Sequence, residues 1–170
     1  PLVGAFIGLM GNDADAAALA ERWVGAARGF PRAAVLTLGT GVGCGLFLGA
    51  DAPLRGVEAG HASVGGPDGR KCPCGARGCL EAYAAAPAIV KAFGGTRTCR
   101  EVVALAAAGD ARAASAVDGA ARHLAVGCLD LCRTLDARVV VLTGGLARAG
   151  PPFLDAVRRH ARLLDWTCLP

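Results

Sequence analysis

Apolar positions recur along this chain in two spacings. Over residues 13–28, Ala17, Leu19, Ala20, Trp23, Val24 and Ala27 form a stripe at helical period, with Gly29 placed to stop it. Residues 33–38, 45–48 and 138–142 are short, almost unbroken apolar runs, the pattern of strands buried on both faces. Residues 1–10 read as another such strand, because the run lacks a basic leader and a cleavage site and is far shorter than a membrane span. Helices are predicted over 81–93, 99–108, 110–136 and 152–164, the last opening on prolines that a first turn tolerates. Residues 51–71 read as a glycine-rich loop. Early strands, late helices and one strand returning between helices predict an α/β fold.

Composition narrows this without changing it. The 170 residues are 54% hydrophobic and 19% charged, so a packed core is expected rather than disorder. The net charge of +4 comes from scattered arginines, with Arg158-Arg159 the densest run and few aromatics interleaved. A nucleic-acid surface concentrates such residues into a stripe, so neither a nucleic-acid nor a membrane partner is expected. Eight cysteines in a chain this long do not suggest disulfide staples, because three of them fall within eight residues. The compartment expected is the reducing cytoplasm.

Those three carry the clearest chemistry. His61 precedes the run Cys72-Pro73-Cys74-Gly75-Ala76-Arg77-Gly78-Cys79. Three thiolates and one imidazole are a closed tetrahedral set for zinc, and Gly75 and Gly78 let the loop fold back so that Cys79 reaches the same ion. Four protein ligands leave no open position, so the ion is expected to be structural. A second metal site at His123, Cys128 and Cys132 is outweighed by their reading as small buried groups on a packed helix. His160 is expected at the surface, facing a helix dipole.

Leu38-Gly39-Thr40-Gly41-Val42-Gly43-Cys44-Gly45 places glycines at alternate positions between two strand-like runs. It is neither a P-loop, lacking the Lys-Ser/Thr that would open a helix, nor the G-x-G-x-x-G of dinucleotide folds. A hairpin that holds phosphate on backbone amides fits it better. Asn12-Asp13 opens the first helix, and periodicity alone favours Asp13 as an ordinary helix cap.

Taken in order, Asn12-Asp13-Ala14-Asp15-Ala16-Ala17-Ala18-Leu19, Leu38 to Gly43, Glu58-Ala59-Gly60-His61, Cys72 through Ala84 and Val141-Leu142-Thr143-Gly144-Gly145 resemble the ROK family of repressors and sugar kinases. The resemblance implies an actin-like ATPase (ribonuclease H-like) fold of two closing lobes. It makes residues 1–170 a single, incomplete kinase domain, mainly the C-terminal lobe with its zinc loop. No Asp-x-Gly-Gly-Thr phosphate motif occurs, and the chain by itself is expected to be a weak kinase or none.

The activity implied is phosphoryl transfer from MgATP to a hexose or N-acetylhexosamine. Asp13 would be the general base, and Asn12, Asp13, Glu58, His61 and Glu81 would bind the sugar. Gly39, Thr40, Gly41 and Gly43 would face the phosphates, and Gly144 and Gly145 the nucleotide. Zinc would sit on His61, Cys72, Cys74 and Cys79. The resemblance also admits a homodimer. The alternative is a catalytically inactive, zinc-stabilised sugar-binding or interaction domain; a repressor would need a helix-turn-helix. Two positions depart from the family: Asp15 stands where asparagine is usual, and Cys44 where glycine is, close to the phosphate hairpin.

Overall fold

The computed structural model describes residues 12–164; the strand predicted over 1–10 lies outside them. Helix α1 (Asp13–Val24) leads into a hairpin of β1 (Arg32–Leu38) and β2 (Val42–Leu48). A two-residue strand β3 (Arg55–Gly56) and a 3₁₀ turn (Ala59–His61) follow. Helices α2 (Glu81–Ala84), α3 (Ala86–Phe93), α4 (Cys99–Ala107) and α5 (Ala111–Leu135) then lead to β4 (Val139–Thr143), a 3₁₀ turn (Ala147–Ala149) and α6 (Pro151–Leu163). The sheet order is β3-β2-β1-β4, with β1 antiparallel to β2 and parallel to β4. This is the predicted α/β class.

Both faces of the sheet are covered, which explains the unbroken apolar run of β1. Side chains alternate at period two. Ala33 and Val35 join Ala18, Phe47 and Val141 in a small cluster beneath α1. Ala34, Leu36 and Leu38 join Leu46, Ile89, Leu124 and Phe153 in a larger one beneath the other helices.

Gly43 and Gly45 belong to β2 and face α1. A Cβ on Gly45 would stand 2.4 Å from the Ala18 Cβ, and one on Gly43 2.8 Å from the Ala14 Cβ. These glycines let a helix of alanines lie close on the strand, so β2 begins at Val42 rather than at residue 45. Cys44, expected near the hairpin's phosphate side, points to the opposite face and is buried in the larger core. The alternation of the strand decides this.

Several boundaries differ from expectation. The first helix ends at Val24, not residue 28, because Gly25 caps it and Glu21 Oε2 draws the backbone N–H of Ala26 out of register. The helix expected over 81–93 breaks at Ala85, which is extended and leads into a new helix with Pro87 in its first turn. The loop over 51–71 contains β3 and a 3₁₀ turn. His160 is half-buried rather than free at the surface: its Nε2 lies 2.9 Å from Asp118 Oδ1, which also takes Arg159 at 2.7 Å. His123 and Cys128 lie on α5 as packed side chains. His123 stacks on Tyr83 with ring centroids 4.0 Å apart.

Candidate active site

Strands β1 and β4 run in parallel and end side by side, Thr37 opposite Thr143. Ligands of open α/β sheets sit at such carboxyl ends. Three other pieces converge there. The hairpin turn Gly39-Thr40-Gly41 is closed by the Gly39 N–H donating to the Gly41 carbonyl at 3.0 Å. Gly144, with φ of +93°, turns the chain after β4 so tightly that a Cβ would meet the Leu38 carbonyl at 2.6 Å. Gly60 presses on the Val42 carbonyl, where any side chain would overlap it, and so holds the 3₁₀ turn that presents Glu58 and His61.

The result is a cleft of about 620 Å³. Its walls gather Asp13, Glu58, His61 and Glu81 with Gly39, Thr40, Gly41, Gly43, Gly144 and Gly145. Of the site residues read from the sequence outside the cysteine loop, only Asn12 is not on its wall. Asn12 Oδ1 instead accepts from the Ala14 N–H at 3.0 Å and is the N-cap of α1. That corrects the reading of Asp13 as the cap: its carboxylate has no hydrogen-bond or ion-pair partner among the described residues and faces the cleft. Sequence reasoning missed Arg148. It is the one lysine or arginine on this wall and has no ion pair among the described residues. Nothing in its local sequence distinguishes it from the other arginines; only the turn after Gly145 brings it in.

Glu81 ties the cleft to the cysteine loop. Its Oε2 accepts from the Val42 N–H at 3.0 Å, in the space that a side chain at Gly41 would fill. Its Oε1 lies 4.0 Å from Cys72 Sγ.

In that loop, the donor atoms of His61, Cys72, Cys74 and Cys79 all lie within 4.8 Å of one another. Cys72 Sγ is 3.6 Å from His61 Nδ1, and Cys74 Sγ is 3.7 Å from Cys79 Sγ. A zinc tetrahedron with bonds of about 2.3 Å to sulfur and 2.0 Å to nitrogen has edges of about 3.8 Å and 3.5 Å. The donor set therefore fits zinc. Without a cation these thiols resist ionising together. Burial, and then the neighbouring sulfurs, push the Cys79 thiol up to about 12, while the Ala76 backbone N–H holds Cys74 below the usual thiol range. His61 offers Nδ1 to this set and turns Nε2 to Glu58, 3.9 Å away, on the cleft side.

The model of the ROK family matches residues 8–164. The chain belongs to the ROK family. It is 34% identical to a glucokinase of Halalkalibacterium halodurans over 89% of this chain and 53% of that one. Among solved structures, a ROK hexokinase from Thermus thermophilus superposes with a TM-score of 0.79 at 39% identity, covering 89% of this chain and 55% of that one. A ROK family glucokinase from Streptomyces griseus, solved in complex with glucose and AMPPNP, gives 0.82 at 30% identity over 94% and 59%. The fold is that of the actin-like ATPases, and this ROK chain spans about half the length of the relatives it matches. Among its described residues, no helix is long and apolar enough to cross a membrane.

Proposed function

We propose that this chain carries the sugar site of an ATP-dependent kinase acting on a hexose or N-acetylhexosamine. The observation that supports this best is the cleft at the ends of β1 and β4, where three carboxylates and an imidazole meet the glycine hairpin. Sugar hydroxyls are bound by such a cluster, and a phosphate chain suits backbone amides unobstructed by side chains.

In this reading Asp13 takes the proton from the attacking hydroxyl. Its carboxylate is unengaged and exposed to the cleft, as a general base must be. Glu58, His61 and Glu81 hold other hydroxyls, and Asn12 holds the start of α1 that carries Asp13. Gly39, Thr40, Gly41 and Gly43 face the phosphates of MgATP, and Gly144 and Gly145 face the nucleotide. Arg148 neutralises phosphate charge in a wall otherwise rich in carboxylates. Phosphoryl transfer is mostly positioning and charge neutralisation, so these residues suffice for the chain's share.

Zinc on His61, Cys72, Cys74 and Cys79 supplies structural cross-linking: it fixes the loop that aims His61 Nε2 and Glu81 into the cleft. Outer partners of this kind set the orientation of a metal-bound imidazole.

The test is sugar binding, and ADP release with ATP, over a panel of glucose, fructose, N-acetylglucosamine and N-acetylmannosamine. Saturable binding of one or more members is expected, with ADP release weak or absent from this chain alone, which spans about half the length of its relatives. Failure of every sugar to bind saturably would overturn the sugar-site reading.

A further inference from the structure

A second hollow, of about 400 Å³, opens between the cysteine loop, α3 and α5, and shares no wall residue with the cleft. Arg70, Arg112, Tyr83, Ser115 and His123 line it, and no carboxylate does. None of the ion pairs among the described residues involves Arg70 or Arg112. Two guanidiniums thus stand over one hollow with no carboxylate among its lining residues.

Both are held in place by rings rather than by acids. The Arg70 guanidinium lies 4.7 Å over the Tyr83 ring, with one N–H 3.4 Å from the Ala82 carbonyl, and its backbone N–H donates to the Tyr83 hydroxyl at 2.9 Å. Arg112 lies 5.4 Å over Phe93. Such contacts order a guanidinium while leaving most of its N–H groups for a ligand. Tyr83 stacks in turn on His123, at an interplanar angle of 12°. His123 Nδ1 is 2.7 Å from the Gly119 carbonyl, which makes Nδ1 the N–H donor and leaves Nε2 unengaged. The charged groups that act on this imidazole are Arg122 and Arg70, both positive.

We propose that this hollow is an anion site that takes a phosphate monoester. Two guanidinium forks and a hydroxyl offer more donors than one carboxylate can accept, and His123 Nε2 adds another once the ring is protonated. A phosphate monoester brings three terminal oxygens and close to two negative charges. The volume admits the body of a small ester as well as its phosphate. The site requires no catalysis and stands independently of the kinase reading.

The experiment follows the His123 ring resonance by NMR at constant ionic strength. The protein is titrated with inorganic phosphate, with a hexose phosphate, and with chloride as the control. Both phosphates are expected to shift the resonance saturably and to raise the pH at which His123 protonates. Tighter binding of the ester than of free phosphate identifies the ester as the ligand; equal binding identifies free phosphate. Arg112→Gln and Arg70→Gln should each weaken binding by about tenfold to a hundredfold, as loss of a charge-assisted hydrogen bond does. Arg148→Gln, in the other cleft, should leave the His123 response unchanged. Arg112 is outside the Tyr83–His123 stack, so its variant tests the site even if Arg70→Gln disturbs that stack. A shift no larger than chloride gives, or one that survives Arg112→Gln undiminished, overturns the proposal.

Discussion

Asn12 and Asp13 are neighbours at the start of α1 with separable roles. Asn12 satisfies an orphan backbone N–H of the helix, so Asn12→Ala should cost about 1 kcal/mol of stability, read from denaturant midpoints. Asp13→Asn touches no cap. In a complete, active form of the kinase it should fold as the parent does and bind sugar nearly as well, while turnover falls by about 10²–10⁴-fold. Turnover within a few-fold of the parent would remove Asp13 as the base. Asp15, one turn on and opposite Gly56, is a different case. Its Oδ1 is buried with no hydrogen-bond partner among the described residues. Asp15→Asn keeps an unpartnered polar atom there and gives up a favourable charge in the helix's first turn, so stability should fall by no more than about 1 kcal/mol; a higher denaturant midpoint in the variant would contradict this.

At the level of elements, the cysteine loop gives the sharpest test, because Cys74 is exposed while Cys72 and Cys79 are buried. Were these three free thiols, Cys74→Ser would be nearly silent. As a zinc ligand, Cys74 is tied to a structural metal whose apparent binding energy is on the order of 10 kcal/mol. Cys74→Ser and chelation should therefore both lower the melting temperature markedly, and elemental analysis should show about one zinc per chain. The sheet carries a second test. Gly45→Ala would set two methyl groups at 2.4 Å, so about 1–3 kcal/mol of overpacking strain is expected. These two elements also show what the sequence made legible. The gathering of His61, Cys72, Cys74 and Cys79 was readable because metal chemistry demands particular residue types at short spacing. The length of β2 was not, since Gly43 and Gly45 suggest a loop until α1, with its alanines, is packed against them. The break at Ala85 and the approach of Arg148 likewise depend on partners far along the chain, which local spacing does not encode.

Across the whole molecule, the chain's three histidines stand in three different settings: the cysteine cluster, contact with the Asp118 carboxylate, and the electropositive hollow. The last gives stability a predictable pH dependence. Burial, opposed by the Gly119 carbonyl and assisted by Arg122 and Arg70, holds His123 below the usual imidazole range. Its folded pKa is thus below its unfolded value of about 6.5. Above that value both states are neutral and the stabilisation is fully present. As pH falls below it, the unfolded chain takes up a proton that the folded chain refuses, so stability declines until the folded pKa is passed. His123→Phe keeps a ring against Tyr83 but cannot take the proton. Between pH 7.5 and 5.5 the parent should lose more stability than this variant, with zinc-ligand and Asp118–His160 contributions common to both. A phosphate monoester in the hollow would favour the imidazolium and shrink the difference. Equal losses in parent and variant would show that His123 protonates as readily folded as unfolded, contrary to a half-buried imidazole near two arginines.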